Sequence, residues 1–317
     1  MANEFTSIAT TPGWADNTVK ASYDLLFRTA LNALPTCWQF IDFQPEQPAF
    51  NGSSVQVQFD NFYGETAINA AKTALTEELD VDSTKLPATS TVTFTPAERG
   101  AANTRTLKLN NRGMVPVDPR IARAIADWCA KTHDELLQDR MVTGTQVYRA
   151  ADRGSTVTIA AADVLASKQI QLAVTKLRVN QAETRDGEFY AGLVHPNVVY
   201  DIRNQTGSGS WRVPSEYGSS QRNIWLGEMG EFEGVRFVQN ARLRKANDGA
   251  SSATVYRSFI MGREALGKHV VVGPETRLGP VVDKLSRFRT IGWYSDLDVQ
   301  IARDAAIVRL ESASAAV

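Results

Sequence analysis

From residue 36 to residue 116 the chain alternates like a strand but has too few large apolar side chains to build a core of its own. Val55, Val57 and Phe59 alternate with Gln56, Gln58 and Asp60. Val92 and Phe94 alternate with threonines, and Leu107 and Leu109 alternate with Thr106, Lys108 and Asn110. Successive side chains in a strand point to opposite faces, so each run predicts a ribbon apolar on one side only. Two such strands alone are marginal in water. The apolar face must therefore be covered from outside the segment, by the rest of the subunit or by another copy.

A different signal follows. Asp118 is placed to cap a helix, with Pro119 at its first position, where the missing N–H costs nothing. Ile121, Ile125, Trp128, Leu136, Leu137 and Met141 form one stripe, opposite Arg120, Arg123, Asp127, Lys131 and Asp134. The pattern predicts a helix of about 37 Å at 1.5 Å per residue, a structural rod. Shorter stripes predict two more helices. One holds Val19, Tyr23, Leu26, Phe27, Ala30 and Leu34, and ends at Pro35. The other runs over 163–180, with Ala166, Ile170, Ala173, Val174 and Leu177 inward. Thr254–Ile260, Val270–Val272, Phe288–Tyr294 and Val299–Leu310 read as strands. Helices and strands without regular alternation indicate an α+β chain.

Composition excludes several classes. The chain has 34 basic and 35 acidic residues, a net charge of -1, and lacks the basic stripe of a dedicated nucleic-acid binder. Arg242–Lys245 and Lys284–Arg289 read as solvated faces. Two cysteines, Cys37 and Cys129, make neither a disulfide framework nor a CxxC metal site. No secretory leader and no membrane span is expected.

The motifs that could carry chemistry fail on spacing. Gly262-Arg-Glu-Ala-Leu-Gly267-Lys268 fits G-x-x-x-x-G-K, but His269 stands where a phosphate loop needs Ser or Thr, and a strand signal follows instead of a helix. The reading is a helical turn between two strands. His133, His195 and His269 lack partners at metal-ligand spacing. His195, before Pro196, reads as a helix cap or a hydrogen-bonded core residue. Glu228 and Glu231, around Gly230, read as solvated charges on a turn. No constellation supports an enzyme, and no cofactor or metal is expected.

The stretch from Tyr190 to Asn240 is the most specific. An apolar run stops at His195-Pro196, and a short helix ends in Tyr200-Asp-Ile-Arg203. A Gly- and Ser-rich tip with Trp211 follows, then Gly227-Glu-Met-Gly-Glu-Phe-Glu-Gly-Val-Arg-Phe-Val238. This order resembles that of tailed-bacteriophage major capsid proteins. Ala74-Leu-Thr-Glu-Glu78 before a Thr-rich strand, Asp118-Pro119 opening a long helix, Gly292-Trp293 and Val308-Arg-Leu-Glu311 also resemble the family, so the similarity spans roughly residues 50–312.

The resemblance implies a Hong Kong 97-like fold, with an N-terminal arm and short helix at 1–50 and an extended β loop at 51–116. It also implies a peripheral domain with a long spine helix at 117–153 and 286–317, and an axial domain at 154–285. The implied function is a shell subunit forming pentamers and hexamers around double-stranded DNA, without sequence-specific binding, in the virion. It would be made in the host bacterial cytoplasm and partnered by itself, a portal and a decoration protein, with a separate scaffolding protein or none. Residues 1–50 are too few for a fused scaffold. Phe59, Phe62, Tyr63, Leu86, Phe94, Trp211 and Tyr217 are the expected contacts with neighbours. A cellular nanocompartment shell of the same fold and, less favoured, a nucleotide-binding enzyme are the alternatives.

Overall fold

The computed structural model describes residues 37–45, 54–59, 65–72, 85–112, 117–185, 187–205, 228–279 and 287–316, with positions 74, 80, 83 and 285. In chain order the strands are β1 (Val55–Phe59), β2 (Ser90–Phe94), β3 (Ala97–Thr106), β4 (Val147–Arg149), β5 (Tyr190–Val194), β6 (Glu228–Phe232), β7 (Val235–Gln239), β8 (Lys245–Ala246), β9 (Val255–Met261), β10 (Leu266–Leu278), β11 (Phe288–Ile301) and β12 (Ile307–Ser312). The helices are α1 (Glu65–Ala71), α2 (Leu107–Arg112), α3 (Val117–Met141), α4 (Ser167–Val179) and α5 (Pro196–Arg203). The fold is α+β, as expected. The stripe at 19–34 lies outside the described residues.

A seven-stranded mixed sheet, β4-β12-β9-β5-β7-β6 with β8 beside β9, forms the larger core. β5 and β7 pair in parallel, and β5, Tyr-Ala-Gly-Leu-Val, is buried on both faces. Such strands are continuously apolar because helices or other layers cover both sides. Tyr190 and Val194 point to one layer, where Ile170 and Leu177 of α4 and Val198 and Ile202 of α5 pack. Ala191 and Leu193 point to the other, among Leu137 and Met141 of α3 and Cys37 and Phe40 of the N-terminal segment. A Cβ on Gly192 would stand 2.6 Å from the Phe237 ring, so only glycine fits between these strands.

The smaller sheet, β10-β11-β3, is antiparallel. β3 carries no apolar alternation, yet it pairs with β11 from Ala97↔Leu297 to Thr106↔Phe288. It is an edge strand held by its backbone ladder, with Thr104 and Thr290 hydroxyls 3.0 Å apart across the pair. The alternation from Thr106 to Asn110, expected as a strand, instead opens α2: the ladder ends at Thr106, whose hydroxyl accepts from Leu109 N at 3.3 Å and turns the chain. Two further expectations are corrected. The Val299–Leu310 run is two strands in different sheets, parted by a 3₁₀ turn at Asp304–Ala306. Residues 228–232 are strand β6, with the turn at Glu233 and Gly234, both at positive φ.

Helix α3 matches its expected span, and Ile125, Leu137 and Met141 of its expected stripe are buried, but Trp128 of that stripe is exposed and Asp134, expected on the solvent face, is buried. The side packed on β11 is Ala122, Ile125, Ala126 and Cys129, against Ile291 and Trp293. Small residues let the helix lie close to the sheet, and Trp128 is left 50% exposed. Trp128→Ala should therefore cost under about 1 kcal/mol in chemical denaturation, well below the 3–5 kcal/mol of a buried tryptophan.

The hairpin β1–β2 forms a third, separate sheet with register Val55↔Phe94 to Phe59↔Ser90. Its root is fixed to the main body. Thr95 N donates to Asp298 Oδ2 at 2.9 Å, and Phe94 is fully buried. The Phe94 ring stands 6.5 Å from the Phe43 ring, which in turn lies 5.4 Å from Phe59. By strand pairing, β12 lies in the sheet of the 154–261 elements, whereas β10 runs along β11.

Candidate assembly surfaces

The N-terminal segment at 37–43 enters the body through a buried polar cluster on α3. Cys37 N donates to Asp134 Oδ1 at 3.2 Å, and Asn240 Nδ2 donates to Asp134 Oδ2 at 3.2 Å and to Cys37 Sγ at 3.1 Å. Burial raises the Asp134 carboxyl, and burial beside Asp134 raises the Cys37 thiol. Arg185 fastens the same segment by donating to the Phe40 and Gln39 carbonyls at 3.2 Å and pairing with Asp42. Phe43 then bridges Gly267, where a Cβ would come 2.9 Å from the Phe94 ring. Strap and hairpin thus meet on one glycine.

His133, one residue before Asp134, stacks on Trp38 at 5.6 Å and meets the edge of Trp293 at 5.5 Å. Its Nε2 lies 3.0 Å from Ser295 Oγ and its Nδ1 lies 3.7 Å from Cys129 Sγ. Burial, then the Arg99 charge, lowers its pKa to about 4. A folded pKa below the unfolded value of about 6.5 means the unfolded chain binds more protons between these pH values. The stability due to neutral His133 is complete above about pH 6.5 and is lost as pH falls toward 4, by about 3 kcal/mol. Asp134, raised, acts in the opposite sense. Denaturation midpoints at pH 7 and 4.5 should accordingly fall less in His133→Asn than in the unaltered chain.

The expected contact residues fall in different places. Leu86 is 84% exposed and Phe59 is half-buried against Phe43. Phe94 has no exposed surface, so it anchors the hairpin within its own subunit. Phe62, Tyr63, Trp211 and Tyr217 lie outside the described residues, as does the tip at 207–220. Exposed apolar positions beyond the expected contacts include Trp128, which its stripe places inward, and Phe288, 41% exposed at the start of β11.

The motifs considered for chemistry resolve structurally. Gly262–Lys268 is a tight turn, with Glu264 at φ 55°, running directly into β10; there is no helix there to face a phosphate. Lys268 Nζ stands 5.4 Å over the Trp38 ring. His195 caps α5, its Nδ1 accepting from Asn197 N at 3.2 Å. Glu231 pairs with Arg236 at 2.7 Å. The Arg242–Lys245 run is spread along α3, with Arg242 bridging Glu135 at 2.8 Å and Arg244 bridging Asp139 at 3.3 Å. Among the described residues no three His, Cys, Asp or Glu gather as a metal site, and no helix is long and apolar enough to cross a membrane.

No curated protein matches the sequence. Solved structures with a similar fold include the capsid of Ralstonia phage GP4, at TM-score 0.69 and 12% identity, covering 88% of this chain and 91% of that one. The Cyanophage Pam1 capsid gives 0.65 and 12% over 84% and 86%. A virus-like particle from Pyrococcus furiosus gives 0.52 and 11% over 92% and 98%. The phage capsid protein family matches residues 138–295, from the end of the spine helix through most of β11. A long α3 laid on a small sheet, a hairpin projecting from it and a seven-stranded core are the Hong Kong 97-like architecture, and this chain belongs to the phage capsid proteins.

Proposed function

We propose that the chain is the major capsid subunit of a tailed phage, forming pentamers and hexamers that close an icosahedral head around double-stranded DNA. The observation that carries this is the hairpin β1–β2. It is rooted in the body by Phe94 and Asp298, yet beyond that root it carries Leu86 and, on α1, Ile68 in solvent. An exposed apolar extension on a firmly held root is the form of an element that is completed by a neighbour. Contacts between unlike surfaces generate rings, and rings of five and six close a shell.

In this reading residues 1–50 act as an arm and 51–116 as the reaching loop. The spine-helix region with β3, β10 and β11 is the peripheral part, and the seven-stranded sheet, including β12, is the axial part. A portal, a decoration protein and a separate scaffolding protein are the proposed partners, the virion the proposed location and the host cytoplasm the site of synthesis. Near-neutral charge suits a wall that does not trap its DNA by counterion release. The role is structural, without catalysis. A cellular shell around a protein cargo is the second reading; the virus-like particle from Pyrococcus furiosus is less similar in fold than the Ralstonia phage capsid. Electron microscopy of particles from cells expressing the chain with its neighbouring genes tests the proposal: closed icosahedral heads support it, and a chain that stays monomeric with every partner overturns it.

A further inference from the structure

The strap at 37–43 closes a chamber on α3 that suits only an uncharged imidazole. His133 inside it is 4% exposed. Its walls are Cys129 one turn back on α3, Trp293 and Ser295 on β11, and Trp38 on the strap. The charges that approach it are cationic. The Arg99 guanidinium of β3 acts on the ring, and Lys268 Nζ of β10 stands 5.4 Å over the Trp38 ring. Asp134, the next residue on α3, turns its oxygens to Cys37 N and Asn240 Nδ2, so among the described residues no carboxylate balances an imidazolium there. A buried charge without a partner must reach water or not form.

One wall of the chamber is easier to move than the rest. α3 and β11 belong to the packed body, whereas the strap is a single 3₁₀ turn at Trp38–Phe40 and a bridge at Phe43. It is held by buried Cys37 and Phe40, by Asp134 at its entry and by Arg185 on Asp42. Glu264 N donates to Asp42 Oδ2 at 3.1 Å, and Lys268 N donates to Phe43 O at 2.9 Å. Lifting the strap opens His133 to water and withdraws Phe43 from the Phe59 and Phe94 rings at the hairpin root. Such an opening is local and leaves both sheet ladders intact.

We propose that acid operates this strap: protonation of His133 releases residues 37–43 from α3 and frees the hairpin root while both sheets stay folded. The device goes beyond the shell function proposed above and does not depend on it. Its sign follows from burial. With the strap closed the His133 pKa is about 4, and in water it returns to about 6.5. The open form therefore binds the extra proton, and the open fraction should rise about fiftyfold from pH 7 to pH 4.5. Asp134, raised by burial in the closed form, opposes the change. Arginines keep their charge in this range, and the Cys37 thiol, raised by burial, stays neutral.

The test reads Cys37, which has no exposed surface while the strap is closed. The full-length chain with Cys129→Ala, leaving Cys37 its single thiol, is labelled with a dipyridyl disulfide, which thiols cleave even in acid. The rate is divided by that of a cysteine peptide at the same pH. It should rise about fiftyfold between pH 7 and pH 4.5, with far-UV circular dichroism unchanged. His133→Gln in the same background keeps a hydrogen-bonding side chain but takes no proton, so its rate should be nearly equal at the two pH values. Asp134→Asn removes the opposing group and should keep or enlarge the rise. No rise in the Cys129→Ala chain, an equal rise in His133→Gln, or loss of the rise in Asp134→Asn overturns the proposal. So does a rise that comes only with loss of the far-UV signal, which is global unfolding.

Discussion

Glu311→Ala is expected to cost the subunit about 3–5 kcal/mol, the range seen when one member of a buried ionic group is removed. Glu311 sits on β12 and is 1% exposed. Arg149 Nε reaches its Oε2 at 2.9 Å, Arg309 Nε reaches Oε1 at 3.0 Å, and Arg257 Nε stands 3.9 Å away. The Thr156 hydroxyl donates to it at 2.7 Å. Three guanidiniums from β4, β9 and β12 therefore converge on one carboxylate, with Asp248 taking part of the Arg257 charge. Removing the carboxylate leaves like charges together in a site already poor in water. Burial pulls the Arg309 pKa down, a sign that its charge is costly there even with Glu311 present. Domains have about 5–15 kcal/mol of net stability, so this loss would expose much of the seven-stranded sheet to unfolding at moderate temperature. Urea titration followed by tryptophan emission measures it. Glu311→Gln keeps the shape and an acceptor and should cost less; a loss under about 1 kcal/mol for Glu311→Ala would mean the arginines find other partners.

That cluster also shows what the sequence concealed. Val308-Arg-Leu-Glu311 resembles the family, but nothing in its spacing says that Arg149 and Arg257 lie beside Glu311. The joining is made by β12 pairing with β4 on one side and β9 on the other, over sequence separations of 46 residues or more. Local periodicity carries no information about such pairings. The same holds for β3. It has no apolar alternation because its side chains mostly face water and its pairing with β11 is made by backbone atoms, so a pattern built on side chains passes over it.

Other features were legible because local physics decides them. The span of α3 and the inward residues of α4 follow from 3.6-residue spacing, and the His195 cap follows from a side chain placed just before Pro196 at a helix start. The error at Trp128 has a clear origin. Apolar character at helical spacing predicts burial for Trp128, whereas beside Ile125 the face of α3 that meets Trp293 is Ala122, Ala126 and Cys129, residues small enough for a close approach. The surplus tryptophan is left outside. For the candidate surfaces, Phe94 is an anchor within its own subunit, packed by Phe43 and Gly267 through the strap at 37–43.

The second large effect concerns the hairpin. Replacing residues 60–89 by a two-residue Asn-Gly turn should leave a folded subunit that closes no shells. The splice is geometrically sound because Phe59 and Ser90 are a facing pair at the hairpin's outer end, and antiparallel strands can be joined by two residues in a type I′ turn. Everything that fixes the hairpin root lies inside the retained ends: Phe94 in its pocket, Thr95 bonded to Asp298, and Phe43 between Phe59 and Phe94. Among the described residues the replacement removes Ile68 and Leu86, both exposed in the subunit, and in sequence it also removes the acidic run at 77–82. Deleting surface that the subunit does not bury should move its melting midpoint by only a few degrees, corresponding to about 1 kcal/mol or less. Deleting surface that a neighbour buries removes the contact at every repeat of the shell, so the yield of closed particles should fall at least about 100-fold, the effect of 2.7 kcal/mol on a single joint. Circular dichroism with sedimentation analysis separates the outcomes. A shortened chain that aggregates would place the loop in the subunit core, and normal shells from it would show that the joints lie elsewhere.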